Sequence, residues 1–397
     1  MSENASDEVR TTVELIPEYN NANVASRSIS ASNAENKNIH DFITQVESDY
    51  RGLGIPVLYG VLSILANKSV FYVGGRGVGK TRTIKCIPDM QGTIASKWDA
   101  FTLDELNTLC GQHINGTHSV HDKHFVFRVG EFSALSEYHK EIFLTVCSRI
   151  SADDEYHHVT TTLQHLNIEN CKLTMLIAIQ PINYSRLCNY YSQWESMSSD
   201  RFSRFLLFNP LRRGNTVEVK LVPTLPTETP PSATLPQDID LRRLVTLFSS
   251  QISEGRALLY AKDYAIAMAR FQGRSEVSQN DVDTFYMLFS PYLDSFSRLQ
   301  ERESFEESVT VHSGHIELLT QIGKHLEGIT KQELCESLRL SERHIERCAC
   351  SLLEKKLIRE EEGRYHLSSE LEQFFNWYKD SFSLQMSPSP ISGTTGA

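Results

Sequence analysis

Residues 69–87 read SVFYVGGRGVGKTRTIKCI: a short apolar run, a loop with glycine at 74, 75, 77 and 79, and a segment of helical period. The spacing GxxxxGKT spans Gly74 to Thr81 and falls between a predicted strand and a predicted helix, the context a phosphate-binding loop requires. Glycines let the backbone curl until successive N–H groups converge on an anion. The helix that follows adds its positive N-terminal end. Lys80 is then expected to reach the β- and γ-phosphates as a point charge, and the Thr81 hydroxyl to ligate Mg²⁺. Gly74, Gly75, Arg76, Gly77, Val78, Gly79, Lys80 and Thr81 are therefore the candidate binding residues for a nucleoside triphosphate.

Alternating short apolar runs and helical patterns surround this loop. IPVLYGVLSILANK, GKTRTIKCI and ALSEYHKEIFLTVCSRI read as helices, and SVFYV, HFVFRV and LTMLIAI as strands. That alternation predicts a parallel sheet covered on both faces, an α/β fold. The chain has 397 residues, which favours two or three domains. Residues 1–40, rich in Ser, Asn, Ala and Glu, read as a disordered leader. Residues 41–221 form the nucleotide-binding core. Residues 222–236, VPTLPTETPPSATLP, carry five of the 13 prolines and read as an extended solvated connector. Only helical patterns follow over 237–300, where Asn280 and Asp281 ahead of Val282 suggest a capped start. A linker over 301–312 leads to a module at 313–368, and 369–397 holds a last helix and a tail.

Composition limits the partners. Lys+Arg 39 against Asp+Glu 50 gives a net charge of -11, so the overall field repels phosphate polymers and anionic membranes, and any nucleic-acid contact must be a local patch. No apolar run is long enough to span a bilayer, and MSENASDEVR lacks the pattern of a signal peptide. A soluble intracellular protein is expected, cytoplasmic or, in a eukaryote, nuclear, without membrane association. The eight cysteines form no CxxC pair and read as buried free thiols.

Further candidates follow the loop. HFVFRVGEFSAL has the shape of a second metal-binding strand, which ordinarily ends in Asp-Glu; here Gly130 stands in the Asp position and Glu131 in the Glu position. Glu131 is a candidate to polarise water or to sit near Mg²⁺. Gln180, ending the strand LTMLIAI, is placed to orient water near a γ-phosphate. Arg201 and Arg204, in DRFSRF, are candidates to reach a neighbouring subunit's γ-phosphate, and Arg256, in SEGRALLY, to approach from the helical side. His157 and His158 lack partner ligands at useful spacing and read as solvated residues.

The ordered set GGRGVGKT, VGEFSAL, LIAIQP, DRFSRF and EGRALLYAKDYAIAMARFQGRSEVSQNDV resembles AAA+ ATPases, in the branch that holds MoxR-type ATPases and minichromosome-maintenance helicases. The resemblance covers about 41–300, includes FTLDELNTLCG, and puts ISADDEYHHVTTTLQHLNIENC, residues 150–171, where that branch carries an inserted hairpin. It implies ATP and Mg²⁺ as ligands. Lys80 and Thr81 would be Walker A, Glu131 the Walker B glutamate, and Gln180 sensor 1 in place of the usual Asn. Arg201 or Arg204 would be the arginine finger and Arg256 the second sensor, in a homo-oligomeric ring. Gly130 and Gln180 depart from the pattern and put hydrolysis in question.

Residues 313–368 carry three helical patterns and a short hairpin, REEEGRYHLS, and resemble a winged helix-turn-helix. Thr330 with Glu333 makes a capping box, Ser341 a second N-cap, and Ile345, Cys348, Leu352 and Leu353 a core-facing stripe. Arg343, His344, Arg347, Lys355 and Lys356 are the candidate DNA contacts. The module holds nine Lys/Arg and ten Asp/Glu, an unusual balance for a nucleic-acid binder. The aromatic-rich ELEQFFNWYKDSF is expected to pack on this module. Taken together, the expectation is an ATPase acting on DNA or DNA-bound complexes. A MoxR-type chaperone acting on a protein substrate and an ATP-gated regulatory protein without hydrolysis are the alternatives.

Overall fold

A computed structural model of the chain describes residues 36–90, 93–95, 113–114, 117–121, 124–132, 156–160, 165–169, 172–190, 202–211, 223–226, 230, 232–300 and 312–382. The described residues from Asn38 onward belong to one compact unit. The core elements are α1 (Lys37–Asp49), α2 (Gly54–Leu65), β1 (Ser69–Gly74), α3 (Lys80–Cys86), β2 (Thr93–Ala95), β3 (His113–Ile114), β4 (Thr117–His121), β5 (His124–Val129), β6 (Tyr156–Thr160), β7 (His165–Glu169), β8 (Lys172–Ile179), α4 (Pro181–Tyr190) and β9 (Phe202–Leu207). A helical layer follows, α5 (Arg242–Ser249), α6 (Glu254–Phe271) and α7 (Gln279–Gln300). The C-terminal elements are α8 (Ser313–Ile322), β10 (Ile329–Thr330), α9 (Lys331–Leu338), α10 (Glu342–Glu354), β11 (Ile358–Glu361), β12 (Arg364–Leu367) and α11 (Ser369–Phe382).

Five strands form the central sheet in the order β2-β5-β8-β1-β9, and every pairing in it is parallel. Strand β1 thus has later strands on both sides. The chain crosses to opposite sides of β1, and the crevice beyond its C-terminal end is the topological switch point where α/β sheets bind ligands. Strands buried on both faces read as continuous apolar runs, which is why SVFYV and LTMLIAI were legible.

Helix α2 is apolar all round and buried along nearly its whole length. It lies between the sheet and the helical layer: the Tyr59 ring meets Phe205 at 4.6 Å, Phe289 at 5.1 Å and Tyr264 at 5.4 Å. Tyr72 donates to the Pro56 carbonyl at 3.0 Å and the Ser63 hydroxyl lies 2.9 Å from that of Tyr264, whereas the buried Tyr59 hydroxyl has no hydrogen-bond partner among the described residues. Helices α6 and α7 pack on α2, α7 runs along the β9 edge, where Phe205 and Tyr292 stack at 4.6 Å, and α5 packs on α6 and α7. The start of α7 differs from the sequence expectation. The helix begins at Gln279, and Asp281, fully buried, accepts from the Ser278 amide at 2.8 Å and from Arg274.

Three further expectations change. Helix α1 starts at Lys37, inside the expected leader, because Ile39, Phe42, Ile43 and Val46 are buried. The proline-rich connector does not run free through solvent where it is described. Thr234 pairs with Glu276, Arg270 donates to the Pro230 carbonyl at 2.9 Å, and Leu225 and Leu235 pack against the core. The inserted hairpin is present as β6 and β7, and it joins β3 and β4 in a second sheet, order β3-β4-β7-β6. β4 and β7 each lead into β5 and β8 after two residues, so this second sheet grows from the N-terminal ends of the core strands, away from the phosphate loop. The leader up to 35, the segment FTLDELNTLCG, the helix expected over 134–150, most of the 301–312 linker and the tail from 383 lie outside the described residues.

The C-terminal module has the three helices and the hairpin expected, with β10 added in the order β10-β12-β11. The Thr330–Glu333 capping box is present on α9, whereas Ser341 takes the N-cap position of α10 without a side-chain hydrogen bond. Ile345, Cys348 and Leu352 are buried. Helix α11 reaches past the module into the core. Phe375 lies 5.4 Å from Phe208, Phe374 lies 5.9 Å from Tyr292, and the Tyr378 hydroxyl donates to Glu47. Glu47 also accepts the Gly52 and Gly54 amides at 2.5 and 2.6 Å, and burial pushes its carboxyl above the usual range. Of the four cysteines whose side chains are described, all free, Cys86 and Cys348 are buried and Cys350 is exposed, against expectation. Among the described residues no helix is long and apolar enough to cross a membrane.

Candidate nucleotide-binding site

The loop between β1 and α3 has the curl its glycines permit. Gly77 and Gly79 have φ of 75° and 102°, the left-handed region that side chains resist. Gly74 is confined in another way, since a Cβ there would press on the Leu207 carbonyl of the neighbouring strand at 2.7 Å. Lys80, the first residue of α3, is only 7% exposed, and its ammonium donates to the Gly74 and Gly75 carbonyls, 2.8 Å each. Burial pulls its pKa down, while the charge of Glu131 pushes it up. A cation buried on two neutral carbonyls gains strength by exchanging them for an anion, because charge-assisted bonds are about twice as strong.

Strand register brings the remaining candidates to the same end of the sheet. Val73 pairs with Ile179, so Gln180 follows β8 beside Gly74. Val129 pairs with Ile177, so Gly130 and Glu131 end β5 on the far side of β8. The Thr81 hydroxyl donates to the Gly130 carbonyl at 3.0 Å. Glycine-lined main chain, Lys80, Thr81 and Glu131 therefore fit a nucleoside polyphosphate. For Mg²⁺ the protein offers the Thr81 hydroxyl with Glu131 close by, and no carboxylate at 130. Among the described residues no group of three His, Cys, Asp or Glu side chains could hold a metal without such phosphates.

The arginines are placed otherwise. Arg204 lies in the middle of β9, buried, with its Nε on the Tyr184 hydroxyl at 2.9 Å and its guanidinium on the Gln251 carbonyl. It is engaged within its own chain and does not project toward a neighbour. Arg256 lies in the first turn of α6, one turn ahead of the buried Tyr260. Arg201 lies outside the described residues, as do the side chains of His157 and His158.

In the module, Arg343 and Arg347 are exposed on α10 and Lys356 is exposed just beyond it. His344 faces inward: its Nε2 is 2.8 Å from where a Cβ on Gly314 of α8 would sit. Lys355 donates to the Leu299 carbonyl of α7 at 2.8 Å, so it ties the module to the helical layer. Exposed Glu342 and Glu346 share α10 with the two arginines, each 2.7 Å from Lys331. A cleft of about 510 Å³ between this helix end and α7 includes Arg298, Lys355, Lys356 and Ser368 in its lining, and Arg298 is paired with Asp294 and Glu370 at 2.6 and 3.1 Å.

One residue at the loop had no signal in the sequence. Glu317 of α8 lies against Gly75, with its Cγ 3.2 Å from the position a Cβ would take.

No family model matches the chain, and no curated protein matches it. Among solved structures, the chain is similar to a point mutant of Thermotoga maritima RuvB at 11% identity, over 84% of this chain and 94% of that one, with a TM-score of 0.23. It is also similar to the structure titled Thermotoga maritima RuvB Holliday junction branch migration motor, at 12% identity over 81% and 93%, with a TM-score of 0.21. Superpositions this poor do not decide the site, whose own geometry carries the assignment.

Proposed function

We propose that this chain binds ATP with Mg²⁺ at the β1–α3 loop and works as an AAA+-type nucleotide switch. The observation that carries the reading is the convergence of Lys80, Thr81, Gly130 and Glu131 at the C-terminal ends of β1 and β5, beside a loop whose glycines adopt the curl an anion cradle needs. Lys80 would hold the β- and γ-phosphates, Thr81 the metal, and Gln180 a water; bound Mg²⁺ supplies charge stabilisation for phosphoryl transfer. Glu131 is the candidate to polarise that water. The test is phosphate release by the purified protein, with Glu131→Gln expected to bind ATP and release none.

The work we propose is ATP-dependent rearrangement of DNA or DNA-bound complexes by a homo-oligomeric ring. Arg201 is the remaining candidate to reach a neighbouring subunit, since Arg204 is engaged in its own chain. DNA contact would run through Arg343, Arg347 and Lys356. The double variant Arg343→Ala/Arg347→Ala should lower the slope of log affinity against log salt by about 2. A second reading, a protein partner docked on the module as in a MoxR-type chaperone, is favoured by Glu342 and Glu346 beside those arginines and by Glu360, Glu361 and Glu362 in the wing. Phosphate release stimulated by DNA separates the two. The absence of a carboxylate at 130 favours slow turnover, and equal phosphate release by wild type and Glu131→Gln would establish a binding-only switch.

A further inference from the structure

Helix α8 meets the phosphate loop through Glu317. Near its middle, the Cγ, Oε1 and Cδ of Glu317 are 3.2, 3.7 and 4.0 Å from the position of a Cβ on Gly75. Gly75 is the residue whose carbonyl holds the Lys80 ammonium. At its C-terminal end, Gly323 abuts Pro210, which follows β9 closely, and β9 is the hydrogen-bonded neighbour of β1. α8 therefore touches the residues that follow β1 and the residues that follow β9.

Behind it there is no slack. Gly314 of α8 packs on His344 and on the Cys348 Sγ, 3.1 Å from where a Cβ would sit. The same helix thus contacts the phosphate loop on one side and α10 on the other. The rest of the module is fastened to the core by Phe375 on Phe208, by Tyr378 on Glu47 and by Lys355 on Leu299.

A carboxylate on the flank of a polyphosphate cradle acts on the ligand with like charge. In a partly buried site that repulsion is screened much less than in water. We propose that the C-terminal module is an in-chain antagonist of the nucleotide site: docked as observed, it presents Glu317 to the phosphate loop, so polyphosphate binding and α8 docking oppose each other. The inference rests on the nucleotide-binding reading above. Because coupling between two binding events is reciprocal, nucleotide must loosen α8 by the factor by which α8 weakens nucleotide. Loosening would then reach α10, the surface through which a DNA or protein partner would be engaged.

The test uses the full chain and Mg·ATP. Glu317→Gln keeps the shape and removes the charge, and Glu327→Gln, at an exposed carboxylate of the same module, controls for net charge. Affinity for Mg·ATP is measured by titration calorimetry, and amide exchange of residues 313–322 is followed with and without Mg·ATP. Glu317→Gln is expected to bind about fivefold tighter than wild type and Glu327→Gln is expected to match wild type, a coupling at the low end of the usual range. Exchange of α8 in the wild type is expected to accelerate when nucleotide binds. Equal affinities for wild type and Glu317→Gln, or weaker binding by the variant, overturn the inference and leave the nucleotide reading in place. Failure of every chain to bind Mg·ATP overturns the nucleotide reading and the inference with it.

Discussion

The hydroxyl of Thr81 donates to the main-chain carbonyl of Gly130 at 3.0 Å, joining the first turn of α3 to the end of β5. Gly130 brings no side-chain carboxylate to this end of the sheet, where an Asp-Glu pair is expected. Gly130, buried at the end of β5, is not among the described glycines with a left-handed backbone, so an L residue meets no backbone penalty there. Gly130→Asp is expected to raise the Mg²⁺-dependent rate of phosphate release about tenfold, a change of about 1.4 kcal/mol in the barrier. Rates measured over a Mg²⁺ titration, wild type against variant, check this; an unchanged rate would mean that the missing carboxylate is not what limits turnover.

Arg204 is a structural residue by its contacts. Removing its side chain leaves the Tyr184 hydroxyl and the Gln251 carbonyl without their partner inside the core. Arg204→Ala should cost about 1.5–3 kcal/mol of unfolding free energy, the range for hydrogen bonds to a charged group. Urea unfolding measures it. Full stability combined with lost turnover would instead mark Arg204 as acting on nucleotide.

His124 sets a pH dependence. Burial holds its imidazole down to about 4, with Lys172 and Arg270 adding to the effect, and its Nε2 lies 3.0 Å from the Thr174 hydroxyl. An unfolded chain takes up this proton near pH 6.5 and the folded chain does not, so stability is complete above about 6.5 and falls as pH drops toward 4. The loss is at most about 3 kcal/mol from this group. Denaturant midpoints at pH 7.5 and pH 5 should differ less in His124→Gln than in wild type, and identical differences would contradict the assignment.

The fastening of α11 predicts a further effect. Phe375 packs edge-on against Phe208, and both are buried. Phe375→Ala is expected to cost about 3–5 kcal/mol. Exchange of α8 amides should rise with it, because the module loses one of its holds on the core. A variant with wild-type exchange in α8 would show that the module stays docked without this contact.

How much of this was legible in the sequence depends on the range of the cause. The phosphate loop, β5, β8 and α2 were readable because local apolar runs and glycine spacing fix them. The capping box at Thr330 was readable for the same reason. Strand order was not, since it follows from which strands pair across long separations. Arg204 read as a residue that reaches a neighbouring subunit, yet β9 is buried along its length and its partner Gln251 comes from just beyond the end of α5. His344 and Lys355 looked exposed on a helical wheel, but α8 and α7 cover them. Glu317 gave no signal at all: nothing in HIELLTQI marks a glutamate that meets a glycine of the phosphate loop.

The most direct measurement of the central claim is a calorimetric titration of Mg·ATP into wild type and Lys80→Ala. The account predicts saturable binding by the wild type at one site per chain and loss of that binding in Lys80→Ala, with both proteins equally folded by circular dichroism. Absence of binding by the wild type, or equal binding by the two proteins, would contradict it.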